Sequence, residues 1–379
     1  MERRPSLKNG HRASTLPRVG IVGTVGVPAR YGGFETLTEQ LAIHIAPDEA
    51  ELVIYCQRSA YPEVVNVVDK KFAGHKRVFV PMRANGPASM LHDVLAMLHA
   101  AIIVQVDVLL VLGYSGAWAM PLLKFLRPRM SIITNIDGME WRRDKFGAKT
   151  KRVLRLFESL AIRHSSRVIV DNAALVPILR SIYPDLNPLL IAYGGDHTLV
   201  TAGVMPVNIQ DPFYLSIARI EPENNCHLIL AAFEAADNST LVFVGNWNSS
   251  KYGCDLKEKY SGNNKIHMLD PIYQQSVLAA LRTRALAYVH GHSVGGTNPS
   301  LVEALFHTNR VLAFDCPFNR STLDNHGCYF SNALQLKDIL NGSHGNNIPA
   351  EKLQGLRQRY RWKAIAQNYM STFLYGQKK

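Results

Sequence analysis

What the chain has little of narrows it first. Cysteine numbers five in 379 residues, an odd count, with no Cys-x-x-Cys pair and no cluster with histidine. That excludes a disulfide framework and a zinc ribbon and suits a reducing compartment. No Asp-x-Asp occurs, so the carboxylate pair that would hold Mg²⁺ or Mn²⁺ on a diphosphate is missing, and no metal or other cofactor is expected. No Gly-Lys-Ser/Thr follows a glycine-rich loop, which removes the P-loop nucleotidases. The most apolar run, Ala100 to Leu112, is broken by Gln105 and Asp107 and falls short of the ~20 residues a membrane-spanning helix needs. Carboxylates are outnumbered: 30 Asp and Glu against 42 Lys and Arg leave a net charge of +12. Such a chain is drawn to acidic partners, whether a nucleotide, a nucleic acid or an anionic membrane surface. Residues Met1 to Pro17 are basic and polar, resemble no signal peptide, and read as a disordered tail.

What is there is an α/β pattern. Short apolar runs alternate with stretches of helical periodicity, beginning with a strand Arg18 to Thr24, a glycine-rich loop to Gly33, and a helix Glu35 to Ile45 with Leu37, Leu41 and Ile45 on one face. A second strand, Leu52 to Tyr55, implies parallel pairing through that crossover. The alternation continues through a helix Ser89 to Val104 and a basic helix Lys149 to His164, fades between Gly194 and Asn208, and restarts at Phe213. The expected architecture is two doubly wound Rossmann-like domains, 18–200 and 209–348, facing across a cleft. A closing helix, Glu351 to Phe373 within 349–379, is free to pack on either half.

The chemistry concentrates in His290-Gly-His-Ser-Val-Gly-Gly-Thr-Asn-Pro-Ser-Leu-Val-Glu-Ala-Leu305. A strand leads in, Gly295 and Gly296 let the backbone turn sharply, and Pro299 suits a first helical turn, so backbone N–H groups are presented to an anion. Glu303, one turn on, would accept hydrogen bonds from ligand hydroxyls. An ordinary strand-to-helix turn capped by Asn298 or Thr297 accounts for the same residues. A second glycine pair, Gly32-Gly33, falls beyond the first strand, with Arg30 and Tyr31 before it and Glu35 after; a plain turn beside a helix explains it equally well. Ligands in such sheets bind beyond the carboxyl ends of the strands, where both turns lie. Asn135-Ile-Asp-Gly-Met-Glu-Trp-Arg142 offers Asn135, Asp137 and Trp141 to a polyol, or else a helix cap. Arg219, at the end of another strand, can grip a diphosphate and stabilise its departure, or merely pair with Glu221. Asp315 and Asn319 follow a further strand near the same rim.

Three other functions compete for these residues. Gly20, Gly23 and Gly26 stand three apart rather than in a dinucleotide fingerprint, and Gln57-Arg58 supplies no acid for a ribose, though Arg58 leaves room for NADP. Gly291-His-Ser-Val-Gly295 is a Gly-x-Ser-x-Gly with Asp315 and His326 following, which is hydrolase order, but no helix starts directly after Ser293. A nucleic-acid binder would satisfy the charge, yet no reading motif accompanies the basic helix, whose charged face suits an anionic inner leaflet or simply water.

Taken together, Gly23-Thr-Val-Gly-Val-Pro-Ala-Arg-Tyr-Gly-Gly-Phe-Glu35, Asn135 to Arg142, Arg219-Ile-Glu-Pro-Glu-Asn-Asn225 and His290 to Glu303 resemble the motifs of the family 4 retaining glycosyltransferases, and more narrowly their bacterial rhamnosyltransferase-like subgroup. The resemblance implies a GT-B fold, with a nucleotide-sugar donor on the second domain, an acceptor on the first, and a closing helix that crosses back to the first. It assigns the ribose to Glu303, the diphosphate to Arg219, and the sugar or phosphate to backbone around Gly296 to Ser300. The implied donor site takes in Gly32, Gly33, Arg219, Asn224, Gly245, Gly295, Gly296, Thr297, Asn298, Ser300, Leu301 and Glu303. The implied acceptor side takes in Arg30, Tyr31, Glu35, Asn135, Asp137 and Trp141, with Asp137, Arg219 and Glu303 as the catalytic group. Two departures stand out: Gly295 replaces the first glutamate of the family's pair, and Asn224 replaces its lysine. Both are features of the subgroup. The implied reaction is transfer of L-rhamnose from dTDP-rhamnose to a lipid-linked oligosaccharide in surface polysaccharide assembly, in the cytoplasm and peripheral to the inner face of the plasma membrane. Mannosyl, glucosyl or galactosyl transfer is the alternative within the family.

Overall fold

The computed structural model describes residues 16–377 other than 31, 66–69, 137, 143–145, 207, 208, 210 and 343–346. Residues 1–15 of the expected tail therefore lie outside the described residues, as do Tyr31 and Asp137 of the expected site.

The first half runs β1 (Arg18–Val22), α1 (Gly33–His44), β2 (Glu51–Gln57), α2 (Pro62–Val65), β3 (Lys71–Phe72), β4 (His75–Val80), α3 (Ser89–Leu98), β5 (Val108–Leu112), α4 (Met120–Leu126), β6 (Ser131–Ile136), α5 (Ala148–His164), β7 (Arg167–Val170), α6 (Leu175–Ile182) and β8 (Leu189–Leu190). The second runs β9 (Phe213–Ile217), α7 (Cys226–Ala235), β10 (Thr240–Val244), α8 (Lys251–Tyr260), β11 (Ile266–Leu269), α9 (Gln275–Arg284), β12 (Ala287–His290), α10 (Pro299–Leu305), β13 (Val311–Phe314), α11 (Pro317–Thr322), β14 (Cys328–Phe330), α12 (Ala333–Leu340), α13 (Ala350–Arg359) and α14 (Trp362–Gln377).

Two sheets result. The first is ordered β3-β4-β2-β1-β5-β6-β7-β8, parallel throughout apart from the short β3–β4 pairing, and the second is ordered β11-β10-β9-β12-β13-β14, parallel throughout. Parallel strands need covered faces, and their sequences comply. On β5, Val108, Leu110 and Leu112 face a core shared with α1 and α14, while Leu109 and Val111 face a core shared with α3, α4 and α5. In each sheet the strand order reverses at the centre, between β1 and β5 in the first and between β9 and β12 in the second. These are the two places where the loops beyond the strands diverge and open a crevice.

Three expectations change. The helix expected over Ser89 to Val104 is α-helical only to Leu98 and continues as a π turn, His99–Val104, which ends at Gln105 in a left-handed conformation (φ 58°). The run Ile102-Ile103-Val104 is β-branched, and such residues crowd an α-helix. The single closing helix is two helices. At the break, the Tyr360 carbonyl accepts the Gly195 N–H at 3.0 Å, and the Trp362 N–H donates to Asp196 Oδ1 at 2.9 Å. A contact across the chain, invisible in the local pattern, caps α14. The former helix, α13, packs with α10 in the second domain; α14 packs with α1, β5 and β6 in the first. Finally, α2, α6, α8, α11, α12, β3, β8 and β14 have no counterpart among the elements expected from the sequence.

Candidate active site

The loops at the second sheet's switch point are stitched to one another. After β9, Arg219 to Asn225 pass through a short 3₁₀ turn and reach Asn225 in a left-handed conformation (φ 48°). After β12, Gly291 lies so close that a Cβ there would stand 2.1 Å from the Asn224 carbonyl oxygen. Asn225 donates to the Gly291 carbonyl at 2.8 Å, and Ser293 donates through its N–H and its hydroxyl to the Glu223 carbonyl at 3.0 and 2.9 Å. The Asn224 side chain donates to the Arg219 carbonyl at 2.8 Å and sits 2.7 Å from His292 Nδ1. Asn224 is thus a strut holding the two loops in register. Arg219 itself is only loosely held: its guanidinium lies 3.7 Å from Glu223 and is 45% exposed.

Beyond this platform Gly295 turns the chain at φ 90° and α10 begins. Asn298 caps it, accepting the Ser300 N–H at 3.1 Å and the Ser300 hydroxyl at 2.8 Å. The capping interpretation therefore holds for Asn298, and of the two glycines Gly295 is half-buried while Gly296 is buried. Leu301 is fully buried in the core beneath and its N–H bonds the Asn298 carbonyl at 3.1 Å, so its expected ligand contact is replaced by packing. Gly245 is a spacing device: a Cβ would meet Ile220 at 2.5 Å.

Glu303 points into a buried node. Its carboxylate is hydrogen-bonded by the guanidinium of Arg282, which is 3% exposed, and lies 3.5 Å from His197 Nε2. The Trp362 indole donates to His197 Nδ1 at 2.9 Å, which leaves the Nε2 proton facing Glu303. Burial by itself would raise the Glu303 carboxyl, but Arg282 and His197 outweigh it and hold the carboxyl below its ordinary value. Nearby, His307 bonds Thr198 at 3.1 Å, and burial pushes its ring down to about 4. Glu303 is thus a charged anchor at the point where both chain crossings between the domains, near 196–198 and 360–362, converge.

The two domains meet at their glycines. A Cβ on Gly138 would stand 3.0 Å from Gly295 Cα and 3.5 Å from Gly296 N; one on Gly33 would stand 3.4 Å from Pro299. Beside this seam, Asp171 accepts the Thr297 N–H (3.1 Å) and hydroxyl (2.7 Å), and Asn172 donates to Thr297, to the Phe318 carbonyl and to Thr322. A mostly apolar cavity of about 210 Å³, lined by Gly138, Met139, Arg142, Leu175, Gly295 and Phe318 among others, opens across the seam.

With this geometry in place, comparison with known proteins gives a consistent result. Residues 205–337 match the family described as Glycosyl transferases group 1. That match covers most of the second domain. Residues 16–196 match a domain of unknown function, DUF1972. No curated protein matches the chain. Among solved structures, the chain is similar to a sucrose-phosphate synthase from Thermosynechococcus elongatus, with TM-score 0.77 and 14% identity over 95% of this chain and 99% of that one. It is also similar to a glycosyltransferase from Rickettsia africae, with TM-score 0.72 and 13% identity over 97% and 100%. A third likeness is to Anabaena HepE, solved with UDP and glucose, with TM-score 0.69 and 14% identity over 94% and 99%. The two parallel-sheet domains share the GT-B fold of these structures.

The structure places the expected acceptor-side residues less compactly than those expected on the donor side. Arg30 pairs with Glu63 and lies 4.9 Å over the Tyr61 ring, while Glu35 is buried and accepts the Arg30 N–H at 2.8 Å. Asn135 is 3% exposed on β6 and donates to the Tyr369 hydroxyl at 2.6 Å, tethering α14, so it is turned away from the rim. Trp141 donates to Glu158 at 2.9 Å with Arg142 and Arg155 at 5.2 and 5.3 Å from its ring, which removes it as a free stacking platform. Gly32 starts α1 with extended backbone, and its carbonyl accepts the Thr36 N–H at 3.0 Å. The serine hydrolase arrangement does not assemble: Ser293 donates to a backbone carbonyl and Asp315 is clamped by Arg320 at 2.6 and 2.8 Å. Asn319 donates to the His292 and Phe314 carbonyls, both at 2.8 Å, in a supporting role. Arg282, His197, Asp171 and Asn172 are the residues the sequence reading lacked. Arg282 lies 21 residues before Glu303, so no local spacing connects them.

Proposed function

We propose that this glycosyltransferase moves a deoxyhexose, L-rhamnose from dTDP-rhamnose, to a lipid-linked oligosaccharide during bacterial surface polysaccharide assembly, with retention of configuration. The observation that carries the reading is the seam at the switch points, where Gly295 and Gly296 present bare backbone opposite Gly138 while Arg219 extends a half-exposed guanidinium from the adjoining loop. Bond breaking at the anomeric carbon puts negative charge on the departing diphosphate. A guanidinium that closes on that growing charge stabilises the transition state more than the ground state. Glu303 holds the nucleotide ribose in this reading, through a remaining lone pair of a carboxylate whose two oxygens already meet Arg282 and His197. Asp137, which follows β6 in sequence, orients the acceptor hydroxyl. The anionic inner leaflet supplies the lipid-linked acceptor, and no metal takes part.

A panel of nucleotide sugars tests this, scored first by thermal shift and donor hydrolysis and then by transfer to a lipid-linked saccharide. Stabilisation and turnover with dTDP-rhamnose above UDP-glucose, UDP-galactose and GDP-mannose is the expected result. Preference for one of the hexoses would replace the sugar while keeping the site, and no response to any nucleotide sugar would overturn the reading.

A further inference from the structure

The helical layer on one side of the first sheet has an outer face that the fold does not cover. α3, the π turn His99–Val104, α4 and α5 all back onto the same core. They are also joined laterally. The Ser115 hydroxyl bonds Asp93 of α3, and a Cβ on Gly116 would meet Asp93 and Met97 at 2.8 and 2.9 Å, so the start of α4 lies along α3. At the other end, Arg127 donates to the Ala101 carbonyl of the π turn at 2.6 Å. α5 packs against α4.

Across this continuous layer, large apolar side chains face outward. Leu91 and Leu95 do so on α3, Ile102 and Ile103 on the π turn, and Leu122 and Phe125 on α4; Ile103 is 69% and Phe125 82% exposed. The Leu91–Leu95 and Trp118–Leu122–Phe125 spacings are those of single helical faces, so these are stripes rather than scattered side chains. The charge is equally one-sided. The exposed charges beside the stripes are Arg129, Lys149, Arg152, Arg155 and Arg163, and the only carboxylates these elements carry, Asp93 and Glu158, are 3% and 0% exposed. A surface meant for water alone would mix charge signs, and one meant for a protein core would not ring its apolar residues with unopposed cations.

We propose that this face docks on an anionic lipid bilayer, with Ile103, Phe125 and their neighbours entering the interface and the α5 cations meeting lipid phosphates. No helix among the described residues is long and apolar enough to cross a membrane, so the contact is one of a surface lying on the bilayer. The proposal deepens the membrane-side part of the function above and rests on it for its purpose. It replaces the basic helix alone with a composite face in which α5 supplies charge while α3 and α4 supply apolar depth.

The test is flotation of the full chain with vesicles of phosphatidylcholine alone and with about one-third phosphatidylglycerol, without donor or acceptor. Binding to the anionic vesicles only, weakened by salt, is expected. Ile103→Asp/Phe125→Asp should reduce it at least tenfold, and Lys149→Gln/Arg152→Gln by on the order of 25-fold, at about fivefold per charge removed. Circular dichroism and nucleotide-sugar hydrolysis in solution should be unchanged in both variants, which separates failure of docking from failure of the transferase reading. Equal flotation of wild type and variants, or none with a wild type that hydrolyses donor, overturns the proposal. So does a dimer in sedimentation that Phe125→Asp dissociates, because the face would then cover a second copy.

Discussion

On the second-domain side of the cleft, Asn224 and Asn298 use their side chains within the loops that bear Arg219 and Gly295, and Thr297 reaches across the seam to Asp171. On the first-domain side, Asn135 and Trp141 use theirs away from the seam, on α14 and on α5. The same residue types thus do different work. In the second domain polar side chains brace the rim, because two loops at a switch point must be fixed relative to one another before a phosphate can be met without reorganisation. In the first, Asn135 and Trp141 brace the fold, and only Asp171 and Asn172 among the polar groups described above join the glycine backbone at the seam. Within the second domain the contrast repeats between two charges. Glu303 is enclosed and paired, whereas Arg219 is half exposed and loosely held.

The largest effect should come from breaking the enclosed charge. Glu303→Ala leaves Arg282 buried without its counter-ion and should lower stability by about 3–5 kcal/mol in urea unfolding. Glu303→Ala/Arg282→Met should recover most of that stability while nucleotide diphosphate affinity stays lower by about 1.5–3 kcal/mol; full recovery of affinity would limit Glu303 to a structural role. Arg219→Ala should behave oppositely, with unfolding unchanged and transfer reduced by about 2.7–4 kcal/mol of activation free energy, a factor of roughly 10²–10³. A destabilised but active Arg219→Ala would reverse the comparison. Gly138→Ala sharpens it at the seam, since its Cβ meets Gly295 backbone that has no side chain to rotate aside. That backbone must give by a few tenths of an ångström, at a cost of about 1–3 kcal/mol, which should appear as slower transfer with donor affinity intact in isothermal titration.

The smallest effect is with pH. The His307 ring is held down to about 4 from 6.5, chiefly by burial and then by Arg282, so the unfolded chain takes up the proton first as pH falls. Stability is complete above about 6.5 and is lost progressively toward 4, by on the order of 1 kcal/mol over the first unit below pH 7. His307→Gln should flatten that part of the profile in thermal melts, and an unchanged profile would place the acid sensitivity elsewhere.

Most of the framework was legible because parallel sheets write themselves as short apolar runs between amphipathic helices, and because a glycine pair beyond a strand marks a place where backbone must come close. Gly33 beside Pro299 and Gly138 beside Gly295 are where those marks meet. The elements that went unread, such as α8 with its low apolar content and the break at Tyr360, depend on partners rather than on periodicity: Ser250 caps the first, and Gly195 and Asp196 make the second.

By itself, then, the sequence determined two α/β halves, the glycine turns at their strand ends, and an arginine beside one of them, since each of these is a local property of a few consecutive residues. Only the tertiary structure decided which polar groups face a ligand and which hold the fold. Whether Glu303 meets Arg282, whether Asn135 turns to Tyr369, and whether an apolar stripe on α4 is covered or bare are questions of which distant segment arrives next to it. Burial makes each answer consequential, because a charge or amide taken out of water must find a partner wherever the fold supplies one.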